Sequence, residues 1–203
     1  HRSSFVPSHC CDKACLSPAS GYPEPTMMKR KVYLKPAVAA LAALLTLGQP
    51  GFAESRDVSE LLTELQSAKA PEAQQIARDI EIRWSASGSA SANLLLKRGE
   101  DALEARAFAK AVEHFSALTD HAPDFAEGWH GRARAFFGLG AYGLALADLR
   151  QTLALNPSHF GAIYGLAALL EQLDKPEDAY AAYKILLNLY PAHEKALEAI
   201  ARL

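Results

Sequence analysis

The stretch Ala126–Pro157, AEGWHGRARAFFGLGAYGLALADLRQTLALNP, decides the fold. It holds two amphipathic helical patterns separated by Gly138-Leu139-Gly140, and its landmarks return at a fixed distance on either side. Pro123, Pro157 and Pro191 stand 34 residues apart, and so do Ala111, Ala145 and Ala179. A period of this length with two helices in it marks helical hairpins that bury their apolar faces against their neighbours in a stack. The residue types follow from that packing. Small side chains belong where two helix axes approach to about 8–10 Å, and large ones fill the gaps beside them. A proline that has no N–H to donate ends one hairpin and sets the turn into the next.

Working outward, the chain of 203 residues is half hydrophobic with a net charge of −2, which suits one domain of ordinary size once the first quarter is set apart. Residues 1–26 carry all three cysteines (Cys10, Cys11, Cys15) and precede the only methionines, Met27 and Met28, so they read as a disordered upstream extension. The cysteines lack a fourth ligand at the spacing of a tetrahedral metal site. Residues 27–53 read as an export signal. A basic start (Lys29, Arg30, Lys31, Lys35) leads into an apolar core over 37–47, and Gly51 and Ala53 place cleavage after Ala53. The core is far shorter than the roughly 20 apolar residues of a spanning helix, which predicts a cleaved signal and no permanent membrane anchor. The run Arg30-Lys31-Val32-Tyr33-Leu34-Lys35 is similar to a twin-arginine signal with lysine in place of the second arginine, and general secretion is favoured. Either route predicts the periplasm of a Gram-negative bacterium. From position 54 onward 15 basic residues face 21 acidic ones, the wrong sign for tracking phosphates, so nucleic acid is not an expected partner. No cysteine remains there for a disulfide framework.

Residues 54–84 predict a helical pair. Asp57 with Glu60 three residues on is a capping-box pattern, followed by a stripe of Leu61, Leu62, Leu65 and Ala68. Pro71 opens the second helix, whose stripe of Ala73, Ile76, Ala77, Ile80 and Trp84 makes Trp84 a core residue. Residues 85–91, SASGSAS, read as a flexible linker or hinge.

Beyond the linker the chain resembles the tetratricopeptide repeat (TPR) family over three units, 92–125, 126–159 and 160–193. The large residue of the first helix is Leu95, Trp129 and Ile163 in turn, followed by a small one at Gly99, Ala133 and Ala167. The second helix carries Ala111, Ala145 and Ala179, and then Phe115, Leu149 and Tyr183. Phe108 and Tyr142 occupy the aromatic position between helices, where the third unit has Pro176, and Arg98 stands where leucine is usual. The resemblance implies an all-α fold, an α-solenoid of three TPR helix-turn-helix units with an N-terminal helical pair and a C-terminal capping helix over 194–203. Leu197, Ile200 and Ala201 supply the apolar face of that last helix.

The resemblance further implies that the first helix of each unit lines a concave groove. The positions are Leu96, Lys97, Glu100 and Leu103, then Glu127, His130, Arg134 and Phe137, then Tyr164, Ala168 and Glu171. Gly131, Gly161 and Gly165 would let a peptide backbone approach. The family's carboxylate clamp is missing, because Leu96, Glu100 and Gly131 occupy its positions, which argues against a receptor for chaperone tails. His130, Arg134 and Tyr164 instead suggest an uncharged or weakly acidic segment of a protein partner. Leu94, Leu95 and Leu96 make the first repeat helix apolar almost all round, so the helical pair is expected to pack on the first unit, as a cap or as a reversible occupant of the groove. No phosphate loop, HExxH, GxSxG or CxxC pattern occurs after position 53, and no nucleophile–base pair is apparent. His114 and His121 lie too far apart along a helix to share a metal, and His121, His159 and His193 read as exposed loop residues. The expectation is a non-enzymatic adaptor without cofactor or metal, the alternative being a structural or regulatory subunit that works through its convex face.

Overall fold

The computed structural model describes residues 56–203; the extension, the export signal and the cleavage point expected from the sequence lie outside them. Nine helices and no strand occur among the described residues: α1 Val58–Leu65, α2 Glu72–Trp84, α3 Ala90–Glu104, α4 Phe108–His121, α5 Ala126–Gly138, α6 Tyr142–Leu155, α7 Phe160–Gln172, α8 Pro176–Leu189 and α9 Glu194–Arg202. None of these helices is long and apolar enough to cross a membrane. The pairs α3–α4, α5–α6 and α7–α8 are the three expected hairpins, and α9 follows the third.

The period is visible in the backbone as well as in the side chains. Each hairpin turns through one residue in the left-handed region, Arg106, Gly140 and Asp174, spaced by the repeat length. The next amide in each case closes the helix end, Ala107 N–H to Ala102 O, Ala141 N–H to Phe136 O and Lys175 N–H to Leu170 O. The link to the following unit is a turn around the closing proline, with Phe125, His159 and His193 donating N–H to Ala122, Asn156 and Tyr190 at 3.1 Å each. Pro176 causes no disturbance, because it stands in the first turn of α8 where its missing N–H is not needed.

Ala111, Ala145 and Ala179 are fully buried, and Phe115, Leu149 and Tyr183 nearly so. The fit is tightest at Phe115, whose ring lies against Gly99 of its own unit and Gly131 of the next. A Cβ on Gly99 would stand 2.5 Å from the ring, and one on Gly131 closer still. Gly131 is therefore a packing residue and not part of a groove floor, and Leu96 and Leu103 sit in the same core and not on the open face. Arg132, at the repeat position of Arg98, makes a paired contact of its own. Its Nε and Nη2 donate to both oxygens of buried Asp148 at 2.7 and 2.9 Å, Nη1 donates to Thr119 Oγ1 at 3.0 Å, and the guanidinium lies 4.8 Å from the Trp129 ring. Removing either partner would leave the other charge buried without its counterpart.

Two further expectations are corrected. The segment 85–91 is a shorter, ordered connection, because Ser89 caps α3 by accepting from Ala92 N–H, which brings Ala90 and Ser91 into the helix. Within it Ser87 Oγ donates to Asn93 Oδ1 at 2.6 Å. The helical pair also does not pack on the first unit. Leu61, Leu65, Ile76 and Ile80 share a core with Phe160, Ile163, Ala167 and Tyr190 of the third unit and with Ala196 and Ala199 of α9, while Leu94 stays 49% exposed. The capping box at Asp57 forms as expected, and Pro71 precedes α2 by one residue.

Three outcomes follow for stability. Gly131→Ala should cost about 1–3 kcal/mol by overpacking, and Phe115→Leu in the same chain should restore part of that loss in a denaturant titration. Gly140→Ala, at a turn with φ of 71° and open space around it, should cost about 1 kcal/mol through the backbone alone. Gly143→Ala, in helical conformation with equal space, should be neutral or raise stability by up to about 0.5 kcal/mol in the same measurement.

Candidate functional site

The first helices of units two and three, α5 and α7, bring His130, Ala133, Arg134 and Phe137 opposite Gly161, Tyr164, Gly165 and Ala168 around a cavity of about 460 Å³. Leu149 lies at its floor, and Glu81 of α2 and Lys195 of α9 stand on its rim. The helical period explains the lining, since residues three or four apart share one face. Small residues at positions 133, 161, 165 and 168 keep the floor low, and Phe137 and Tyr164 form the walls. Phe137 lies 5.5 Å from Tyr142 and Tyr164 lies 5.2 Å from His193, so both rings are backed by aromatic neighbours. Arg134 is held in place by Glu100, which occupies the same position one unit earlier; Nη1 donates to both carboxylate oxygens at 2.8 Å.

Behind the cavity is a compact polar cluster. His159 is 3% exposed, and its Nδ1 accepts from Ala162 N–H, capping α7. Its Nε2 lies 3.0 Å from Glu127 Oε1, and His130 Nδ1 lies 3.7 Å from Glu127 Oε2. An imidazole that accepts on Nδ1 carries its proton on Nε2, so His159 donates to Glu127. That proton occupies the lone pair a metal would need. The grouping of Glu127, His130 and His159 is therefore tied by the His159–Glu127 hydrogen bond with His130 alongside, and neither nitrogen of His159 carries a free lone pair. Burial opposes the Glu127 charge, but the contacts with the two histidines prevail and bring its pKa to about 2; burial also pushes His130 down to about 4. Trp84 of α2 stacks on His159 with ring centres 5.0 Å apart and is equally close to Phe160.

Of the residues expected in the groove, His130, Arg134, Phe137, Tyr164 and Ala168 meet at one cavity, with Gly161 and Gly165. Glu127 lies beneath it and Glu100 beside it. Lys97 is outside it and exposed, paired with Asp101 at 2.9 Å along its own helix. Glu171 is also elsewhere, accepting from the Tyr183 hydroxyl and, at 3.2 Å, from Arg202 Nη2. His159 is not the exposed loop residue its neighbourhood suggested, and neither is His193, whose Nδ1 caps α9 by accepting from Ala196 N–H. Sequence reasoning missed Glu81, Lys195, Ala133 and Leu149 at the cavity. The first two belong to helices outside the three units; Ala133 and Leu149 are packing positions of the repeat that also reach the cavity.

His130 sets the pH response. With its folded pKa near 4 below an unfolded value near 6.5, protons favour the unfolded chain in that interval, and His193, lowered by burial, acts in the same direction. Glu127 contributes stability above pH 4.5 that is lost only as pH falls toward 2. Between pH 6.5 and 4.5 unfolding free energy should therefore fall by roughly 1 kcal/mol per pH unit through His130. In His130→Gln the slope over that interval, measured by denaturant titration, should be shallower.

No family model matches the chain. It is 32% identical over 144 residues to a TPR repeat-containing protein of Rhizobium etli, spanning 70% of this chain and 71% of that one. Among solved structures, the first TPR of Spaghetti bound to an HSP90 peptide aligns with a TM-score of 0.54 at 25% identity, covering 55% of this chain and 89% of that one. The TPR domain of Arabidopsis OM64 aligns with a TM-score of 0.54 at 21% identity, covering 55% and 93%. MamA protein aligns over 70% of this chain and 80% of its own, with a TM-score of 0.51 at 18% identity.

Proposed function

The chain belongs to the tetratricopeptide repeat family, a fold that serves as a protein-interaction scaffold, and from that premise we infer that it binds a peptide segment of a partner in the cavity between α5 and α7. The observation that carries this reading is the convergence of Arg134, Phe137 and Tyr164 around a floor of small residues. Two aromatic walls give contact area at low entropic cost, and a guanidinium already fixed by Glu100 offers its remaining donors to a carbonyl or carboxylate. Lys195 and Glu81 together at the rim leave the site near neutral, which suits an uncharged or weakly acidic segment. The Spaghetti domain holds an HSP90 peptide. Here a chaperone tail is not the favoured ligand, because Leu96 is buried, Glu100 is engaged with Arg134, and Gly131 faces Phe115. The scaffold acts without catalysis in this reading, and the pattern over residues 27–53 supports export, with the partner in the periplasm or cell envelope.

A second reading is favoured by apolar side chains left open on the second helices, Leu144 at 55%, Tyr180 at 44% and Ile185 at 56% exposed. It describes a structural or regulatory subunit that docks through the outward face. Substitution separates the two. Tyr164→Ala and Arg134→Ala should each weaken binding of a partner recovered by crosslinking in the envelope by about tenfold, the loss of a moderate hot spot. Tyr180→Ala and Ile185→Ala should leave it unchanged; the reverse pattern would transfer the function to the outward face.

A further inference from the structure

His130 carries a ring nitrogen that the fold does not use. Its Nδ1 faces the ionised Glu127 carboxylate at 3.7 Å, whose other oxygen accepts from His159 Nε2 at 3.0 Å. Burial keeps the His130 ring neutral at about pH 7, so it holds one proton, and the carboxylate draws that proton to Nδ1. Nε2 is left with a lone pair. It has no hydrogen-bond partner among the described residues, and it is not sealed in, since no buried side-chain nitrogen among them is without one. The Cε1–Nε2 edge of the ring lies over Gly161, where a Cβ would stand 3.2 and 3.5 Å from the two atoms; in its absence that edge borders the cavity both residues line.

Arg134 stands one helical turn further along the same face of α5. Its Nη1 is committed to Glu100, which leaves the other guanidinium donors for the cavity. The site therefore offers an acceptor and a donor next to each other, between the rings of Phe137 and Tyr164. The groups a partner can present differ sharply against that pair. A carboxylate has only acceptors and sets its lone pairs against His130 Nε2, with Glu127 beneath and Glu81 at the rim. A backbone amide has one donor and one acceptor, but in the trans peptide they point to opposite sides and cannot both meet one helix face. An apolar side chain strips water from both protein groups and returns no hydrogen bond. A primary carboxamide carries its oxygen and its NH₂ on one carbon, side by side.

We propose that the cavity reads the side-chain carboxamide of an asparagine or glutamine in the partner segment, Arg134 donating to its oxygen and His130 Nε2 accepting from its nitrogen. This rests on the concave cavity being the binding surface, and it makes His130 the residue that tells an amide from an acid. Glu127 is a positioning residue that acts through the His130 tautomer. The partner chain has room to run on past the amide, because the cavity shares Glu81, Gly161, Tyr164 and Lys195 with a second open cleft of about 300 Å³ bordered by Tyr190.

The test pans a library of random heptapeptides, displayed on phage, against the full chain. Selected sequences should hold asparagine or glutamine at one position at least about tenfold above the starting library, and changing that residue to aspartate or glutamate in a synthetic peptide should weaken binding at least about tenfold. In His130→Phe the amide and acid forms should bind alike. Glu127→Gln should reverse their order, because an amide N–H facing Nδ1 moves the imidazole proton to Nε2 and turns the acceptor into a donor. Peptides selected without a carboxamide, equal affinity of the unaltered chain for the two forms, or an amide preference that persists in either variant would overturn the proposal. Should a variant fail to fold, the ring-nitrogen NMR shifts of His130 in the unaltered protein decide: Nδ1 must carry the proton at about pH 7, and a proton on Nε2 rejects the acceptor. Binders that lack a carboxamide yet weaken in Tyr164→Ala reject the amide and keep the groove. Binders indifferent to Tyr164→Ala and Arg134→Ala reject the cavity as the site, and no binder at all rejects both.

Discussion

The ring of Phe115 is wedged between two glycines from successive first helices, Gly99 and Gly131, and that contact is the constraint on which the rest depends. A helical hairpin of this size has one apolar face too many, and the only surface that matches it is the next hairpin. Phe115 is the point where the two lock, and Leu149 against Gly165 repeats the contact one unit later with a smaller side chain and a looser fit. The geometry of the groove follows. With the second helices committed to their neighbours on both sides, the first helices are left to face one another across the concave side, and small residues at 161, 165 and 168 keep that side open.

The site takes its character from departures from the repeat. At one repeat position stand Glu100, Arg134 and Ala168 in succession. The first two form an ion pair across units, and the third leaves room for a ligand beside it. The pair is exposed and adds little to stability; what it does is fix a guanidinium at the edge of an aromatic pocket. Phe125, His159 and His193 likewise share a position. Both histidines cap the helices they precede, and His159 alone has a carboxylate within reach, so the cluster with Glu127 and His130 occurs once in the stack. The hydrogen bonds that fix His159 also present its ring to Trp84, which ties the polar interior to the docking of α2.

The fold was legible because its signals are local to one period. Ala145 and Pro157 say where helices approach and end, and both neighbouring units repeat the statement. The destination of α2 was not legible in the same way. A stripe of Ile76, Ile80 and Trp84 announces a buried face but not the surface that buries it, and Leu94 to Leu96 offer an apolar surface nearer in sequence. The third unit wins because Phe160, Ile163 and Tyr190 present a broader aromatic and branched surface, next to α9, whose Ala196 and Ala199 join the same core. Half of the candidate site could be read from register alone: His130, Arg134, Phe137 and Tyr164 do meet. Lys97 and Glu171 were drawn away by ion-pair and hydrogen-bond partners on the same or an adjoining helix, which spacing does not reveal. The burial of Arg132 with Asp148 needed the crossing of α5 and α6 to be seen.

In the proposed function the concave cavity between α5 and α7 is the face that meets a partner. The most direct measurement is backbone amide chemical-shift mapping of the labelled protein with the partner segment recovered by envelope crosslinking. Perturbations gathered at Arg134, Phe137, Tyr164, Gly165 and Ala168 are the predicted result. Perturbations gathered instead at Leu144, Tyr180 and Ile185, with the cavity residues unmoved, would contradict it.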